Sequence, residues 1–309
     1  MNRDKHLFLD FLAGRGAVPV LFEPFLSRRH TETLIWRRGP KLWDTAGHTV
    51  STLVSQTERT RADMLLLDFR PLSFEEKQAA ARELRIAREE NPFLGFRAIR
   101  YCLAREDLYR TQLRALLRAS AFGDIRIMVP LVTCVDELTA VKDLLKRYMI
   151  EFDQEGIAYN PDIMVGIMVE TPAAAIMADA LAAEADFFSI GTNDLTGYTM
   201  CADRGNEKVR YLYSTYNPAV LRSIKRVIEE GNKAGILVGM CGEAAADPLL
   251  IPLWISFGLG EYSVSATSVL ATRKQVSLWT KEDADALANK VMQLNTAAEI
   301  YEVLKEAAR

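Results

Sequence analysis

IMVGIMVETP at 163–172 and FFSIGTNDL at 187–195, joined by the alanine-rich AAAIMADALAAEAD, decide the fold. Two short apolar runs each stop abruptly at a carboxylate, Glu170 after the first and Asp194 shortly after the second. The alanine-rich connector suits a helix, so the three pieces read as a strand, a crossover helix and a parallel strand. Parallel strands end on the same edge of their sheet, so Glu170 and Asp194 should converge there. Two carboxylates just past neighbouring strand ends are well placed to hold a hard divalent cation such as Mg²⁺. In a parallel barrel, that edge is where the chemistry sits.

Outward from this unit, strands and helices alternate. Apolar, β-branched runs predict strands at 17–25, 62–69, 125–133, 163–171, 187–192, 236–241 and 261–266. A helix is expected at 1–16, and helical material broken at Gly39-Pro40 fills most of 27–60. Its cluster Arg28, Arg29, His30, Arg37, Arg38 and Lys41 could attract an anion, but a solvated basic face accounts for it more simply. Ser73 and Glu76 form a capping box at the head of a helix over 71–90. Residues 90–123 read as mostly helical, 136–154 as a helix, and 218–235 as another. PLLIPLWISFG reads as helix, and an amphipathic helix closes the chain from Lys281.

Near-continuously apolar strands alternating with helices mean a parallel sheet covered by helices. The expected fold is therefore α/β, a TIM-type (β/α)8 barrel. Seven strands are legible; the eighth is missing between residues 70 and 125, so one strand is absent or replaced. With no low-complexity linker and no internal repeat, one domain over 1–309 is expected.

Composition narrows the function classes. About half of the 309 residues are hydrophobic (49%) and 26% are charged, as in an ordinary globular protein. A net charge of −3 gives no reason to expect nucleic acid or an anionic membrane as partner. Cys102, Cys134, Cys201 and Cys241 are widely spaced without a CxxC pair, which disfavours a zinc site or a disulfide framework. No run approaches the ~18 apolar residues of a membrane span, and the opening HLFLDFLAG is too short and too charged for a signal peptide. A cytoplasmic protein is the expectation.

From about residue 89 onward, six blocks carry a resemblance: ENPFLGFRAIR, LRALLRASAFG, IRIMVP, VGIMVETPAAA, DFFSIGTNDLTGYTMCADRGN and GMCGE. In order and spacing they resemble the phosphoenolpyruvate-binding barrel of enzyme I of the bacterial phosphotransferase system, parts of which pyruvate phosphate dikinase and PEP synthase share. The resemblance implies Mg²⁺ ligation by Glu170 and Asp194, in agreement with the strand ends. It implies that Asn193 meets the phosphate of phosphoenolpyruvate (PEP), and that Arg97 and Arg204 grip its phosphate and carboxylate. Paired guanidinium donors suit both anions. Cys241 resembles the acid that protonates the enolate carbon as PEP becomes pyruvate. A cytoplasmic homodimer that receives or passes a phosphoryl group through a phosphohistidine carrier protein is also implied.

Departures from the pattern qualify this. The family's RTMDIGGDK block, with another phosphate-binding arginine, should precede ENPFLG and is absent, at the place where a strand is missing. An RTEF block has only Arg61-Ala62-Asp63-Met64 in its place, leaving Arg61 as a weaker substrate-binding candidate. Residues 1–70 are atypical and only faintly similar to the opening β-α-β of uroporphyrinogen-decarboxylase-like barrels, as though one barrel's start were joined to another's remainder. The phosphohistidine domain is not recognisable. Weak or no autonomous phosphotransfer is therefore expected, with a non-catalytic PEP-sensing or regulatory paralogue as the alternative.

Overall fold

The computed structural model describes residues 89–308 in full and the backbone of 31–36 and 64–69. The predicted strand at 17–25, the helix at 1–16, the helix expected over 71–90 as far as residue 88, the Ser73–Glu76 capping box, the basic cluster apart from the backbone of Thr31–Trp36 between its members, and Arg61 lie outside the described residues. Contacts divide the chain into two compact units, Met1–Ile125 with Asp143–Ile163, and Arg126–Lys142 with Met164–Arg309.

In the first unit, β1 (Thr31–Trp36) pairs antiparallel with β2 (Met64–Phe69) in a two-stranded sheet of its own. This corrects two expectations. Residues 31–36 are strand rather than helix, because Thr31, Thr33, Ile35 and Trp36 are residue types that favour extended backbone. The strand expected at 62–69 is present but joins an antiparallel ribbon, whereas a β-α-β start would need a parallel partner.

The stretch read as mostly helical over 90–123 is so, as a 3-10 turn at Pro92–Leu94, α1 (Ala98–Ala104) and α2 (Glu106–Ala119). No strand appears among the described residues 89–125. Tyr109, Leu113 and Leu117 recur every four residues and bury one stripe of α2. Facing them is the C-terminal part of α3 (Val135–Glu155), which buries Tyr148 and Phe152. Above that seam, Arg114 bridges Glu151 and Glu155, each at 2.6 Å, with its guanidinium 4.4 Å from the centre of the Phe152 ring.

The second unit holds five parallel strands in sequence order: β3 (Ile127–Val129), β4 (Val165–Val169), β5 (Phe187–Gly191), β6 (Leu237–Cys241) and β7 (Glu261–Tyr262). The α/β class with a parallel sheet is thus present. All five residues of β4 are buried, as a strand covered on both faces must be. The connector between β4 and β5 is broken into α4 (Pro172–Ile176) and α5 (Ala178–Ala182). After β5 comes a helix not anticipated from sequence, α6 (Thr192–Met200), then α7 (Pro218–Lys233), which leads into β6.

α8 (Ile251–Phe257) connects β6 to β7, and α9 (Val269–Ser277), α10 (Lys281–Val291) and α11 (Ala297–Glu306) end the described chain. The closing helix expected from Lys281 is therefore two helices, the second opened by a capping box of Thr296 and Glu299. β7 keeps only two of its six expected residues. Beyond it the backbone turns on itself, the Ser268 N–H donating to the Ser265 carbonyl at 2.8 Å.

α7 packs on β5 and β6 through Val220, Leu221, Ile224, Val227 and Ile228. Asn217 caps it by accepting the Ala219 N–H at 2.9 Å, and Pro218 fills the position where a backbone N–H is not needed. Ile224 is fully buried, so Ile224→Val should cost about 0.5–1.5 kcal/mol of stability. Urea titration followed by circular dichroism checks this; no shift in midpoint would place the helix elsewhere.

Candidate functional site

The carboxyl ends of β4, β5 and β6 converge because these strands are neighbours and parallel, with Val169 opposite Ile190 and Gly191 opposite Cys241. Glu170 follows β4 directly and is only 8% exposed. Its Oε1 accepts the Leu131 N–H at 2.7 Å. Leu131, just past β3, adopts φ 55°, a left-handed conformation that a branched residue occupies at a cost. The carboxylate and the strained turn hold each other in place. The second oxygen, Oε2, leans over Gly191, where a Cβ would stand only 2.9 Å away. Thr171 adds a second tie: its hydroxyl donates to the Val132 carbonyl at 2.8 Å and caps α4 through the Ala174 N–H at 3.1 Å.

Past β5 the chain turns at once into α6. Thr192 is fully buried and donates its hydroxyl to the Cys241 carbonyl at 3.0 Å. That bond sews the start of α6 to the end of β6. Gly242, the next residue of that corner, has φ 90°, and a Cβ there would meet Thr192 Oγ1 at 2.3 Å, so no other residue fits. Asn193 Oδ1 accepts the Glu243 N–H at 3.4 Å, and its carbonyl accepts the Tyr213 hydroxyl at 2.8 Å. Asp194 lies in the first turn of α6, where the helix dipole favours a negative charge.

Arg204 is exposed, and its guanidinium acts on the Tyr213 hydroxyl. Burial pushes that phenol up, the Arg204 guanidinium opposes the shift, and Glu243 and Asp194 add to it. One tyrosine thus registers Arg204, Asp194 and Glu243 together. Cys241 is half-buried. Burial pushes its thiol up, the Ser189 hydroxyl pulls it back, and the carboxylates of Glu170 and Glu261 push it up again. A thiol so placed stays protonated at neutral pH.

Five residues singled out from sequence, Glu170, Asn193, Asp194, Arg204 and Cys241, therefore gather at the carboxyl edge of one sheet. Arg97 belongs to the other compact unit, where it opens α1 with its guanidinium 5.7 Å from the centre of the Phe93 ring. Cys134 and Cys201 are exposed, and the half-buried thiol of Cys102 is pushed up to about 11 by burial. Oxygen donors for a cation at this edge are Glu170 Oε2 and the Asp194 carboxylate. Among the described residues no group of three or more His, Cys, Asp or Glu is arranged around a metal position.

Residues missed from sequence are Thr192, Gly191, Ser189, Tyr213 and Glu261. Gly191 and Thr192 stand inside the quoted SIGTND block, and a glycine at a strand end beside an acid-bearing neighbour was the available signal. Tyr213 and Glu261 had none, since their roles depend on folding and register.

The family model described as PEP-utilising enzyme, PEP-binding domain, matches residues 60–280. The phosphoenolpyruvate-protein phosphotransferase of Geobacillus stearothermophilus is 51% identical over 222 residues, 72% of this chain and 38% of that protein. Its counterpart from Bacillus subtilis (strain 168) is 49% identical over 223 residues, covering 72% and 39%. The one from Staphylococcus aureus is 49% identical over 221 residues, again 72% and 39%. The chain thus spans about two-fifths of the length of these relatives. A crystal structure of a citrate lyase from Burkholderia xenovorans LB400 aligns with TM-score 0.43 and 17% identity, over 64% of this chain and 68% of that one.

Proposed function

The chain belongs to the PEP-utilising enzymes through their PEP-binding domain, and from that membership we propose that it binds PEP and pyruvate with Mg²⁺ at the carboxyl edge of the parallel sheet. The five strands are read as part of a TIM-type (β/α)8 barrel, in which that edge carries the chemistry. The observation that carries the reading is Glu170: a buried carboxylate at the strand end with one oxygen fixed by a strained backbone N–H and the other turned over Gly191.

The donor set fits Mg²⁺. It is made of hard carboxylate oxygens, and one or two of these plus substrate phosphate and water are the usual protein share for this ion. When bound, the ion would supply positive charge against the phosphate. The chain's own groups do the rest. Asn193 and Arg204 meet the phosphoryl group. Phosphoryl transfer depends mostly on such positioning and charge stabilisation. Cys241, protonated in its half-buried place, gives its proton to the terminal enolate carbon, and the sulfur keeps the electron pair of the broken S–H bond.

The phosphoryl group would pass to or from a histidine on a separate carrier protein, by a homodimer in the cytoplasm. No described helix is long and apolar enough to cross a membrane. The missing RTMDIGGDK block favours weak phosphotransfer, and so keeps a PEP-sensing module as the second reading. Calorimetric titration of PEP with and without Mg²⁺ tests the proposal. Binding that needs Mg²⁺ is expected; no Mg²⁺-dependent binding would refute it. Exchange of the pyruvate methyl protons, followed by NMR, separates the enzyme from the sensor.

A further inference from the structure

Three hydrogen bonds and two short stretches of backbone close a ring that passes through Asn193. The Asn193 side-chain Oδ1 accepts the Glu243 N–H at 3.4 Å, and its carbonyl accepts the Tyr213 hydroxyl at 2.8 Å. Just along the chain from Tyr213, Tyr216 donates its hydroxyl to Asp247 Oδ2 at 2.6 Å. Asp247 ends the 3-10 turn Glu243–Ala246, whose first residue is the one that reaches Asn193.

The far side of this ring is firmly held. Asp247 uses both oxygens, since Oδ1 accepts the Leu249 N–H at 3.0 Å, and its carbonyl receives the Ile251 N–H at 3.2 Å at the head of α8. Inside the turn, the Ala244 carbonyl accepts the indole N–H of the fully buried Trp254 at 2.9 Å. A phenol that donates to a carboxylate makes a charge-assisted bond, stronger than a neutral one. Burial and then Asp247 push the Tyr216 phenol up, so it keeps the proton it donates. From outside the ring, α11 reaches in through Tyr301, which stands edge-on to the ring of Tyr216 with centres 5.3 Å apart. One turn further along α11, the Lys305 ammonium lies 5.8 Å from the centre of the Tyr301 ring.

We propose that Tyr216, Asp247 and Tyr301 are positioning residues for Asn193, and that through them the last helix sets the strength of ligand binding. The inference rests on the proposed contact of Asn193 with the phosphate of PEP. With Oδ1 taken up by the Glu243 N–H, what the amide offers a ligand is its N–H donors, and these match phosphate oxygens. Release of Asp247 frees the turn, Glu243 then leaves Oδ1, and the amide can rotate to set its oxygen against the anion. The three residues act on the ligand only through Asn193. Coupling between sites is reciprocal, so bound PEP must in turn steady α11.

The intact chain supplies the test. Tyr216→Phe removes one hydroxyl and keeps the ring that faces Tyr301. Calorimetry with Mg²⁺ should show PEP binding weakened by about fivefold or more, the usual scale of coupling between sites. Tyr301→Ala should weaken binding in the same direction, whereas Tyr301→Phe, which keeps the edge-on contact, should bind as the wild type does. In an Asn193→Ala background Tyr216→Phe should change nothing further, because the residue it acts through is gone. Wild-type affinity in Tyr216→Phe, even with a lowered melting temperature, would overturn the proposal and leave the ring a matter of stability alone. A second readout needs no ligand: exchange of the Glu243 amide proton with water, followed by NMR, should speed several-fold in Tyr216→Phe. An unchanged rate there overturns the proposal whatever the affinities show. With PEP and Mg²⁺ added, the amides of α11 should exchange more slowly in the wild type and not in Tyr216→Phe. If the wild type binds no PEP, the functional reading fails and takes the affinity coupling with it. The Glu243 rate then still decides whether Tyr216 holds the Asn193 corner.

Discussion

Cys241→Ala is expected to slow exchange of the pyruvate methyl protons by about two to four orders of magnitude, the usual share of a positioned acid or base. Binding of PEP should change little. The side chain removed is small and half-buried, and it leaves Glu170 with its Leu131 bond and Asn193 with its Tyr213 bond. The prediction follows from surroundings that favour S–H over thiolate: burial first, then the charges of Glu170 and Glu261, against one hydroxyl from Ser189. A cysteine serving as nucleophile would be built the opposite way, with cations or a helix N-terminus beside the sulfur. NMR in deuterated water gives the rate and calorimetry gives the affinity. Exchange at the wild-type rate in Cys241→Ala would move the acid elsewhere.

Much of this site is legible in the sequence, for a physical reason. β4 and β5 are buried on both faces, so they appear as unbroken apolar runs, and a carboxylate at the end of such a run has no place in the core. Glu170 and Asp194 are conspicuous by that contrast. Strand direction follows from the helical connector, so their shared edge follows as well. Register does not. That Gly191 lies beside Cys241, and Gly239 beside Glu261, depends on hydrogen-bond pairing between strands far apart in the chain. One sequence carries no trace of it, so Glu261 and Ser189 pass unnoticed. Residues 31–36 fail differently: arginines on both sides give the segment the look of an exposed helix, and its strand pairing with Met64–Phe69 is a tertiary choice. α6 was hidden because TNDL draws attention as a cluster of polar side chains, although Thr, Asn and Asp are also the residues that open helices.

Glu170→Gln should give a change whose sign depends on Mg²⁺. The amide has the shape of the acid and can still accept the Leu131 N–H, so the left-handed turn at Leu131 and its ties should persist. What is lost is one negative charge. With Mg²⁺ present, PEP binding should weaken by about 2–4 kcal/mol, roughly thirty- to thousand-fold, as when one charge-stabilising group is removed from a site. Without Mg²⁺ the same substitution should leave binding unchanged or strengthen it. A like charge about 4 Å from an anionic ligand repels it by about 4 kcal/mol at an effective dielectric of 20, and the amide removes that repulsion. No purely structural role for Glu170 gives this reversal, because a broken latch weakens binding in both conditions. Calorimetry of both proteins, with Mg²⁺ and with chelator, separates the cases. Equal losses would reduce Glu170 to the support of Leu131. No loss in either condition would remove it from the metal site, and the magnesium reading of this edge would go with it.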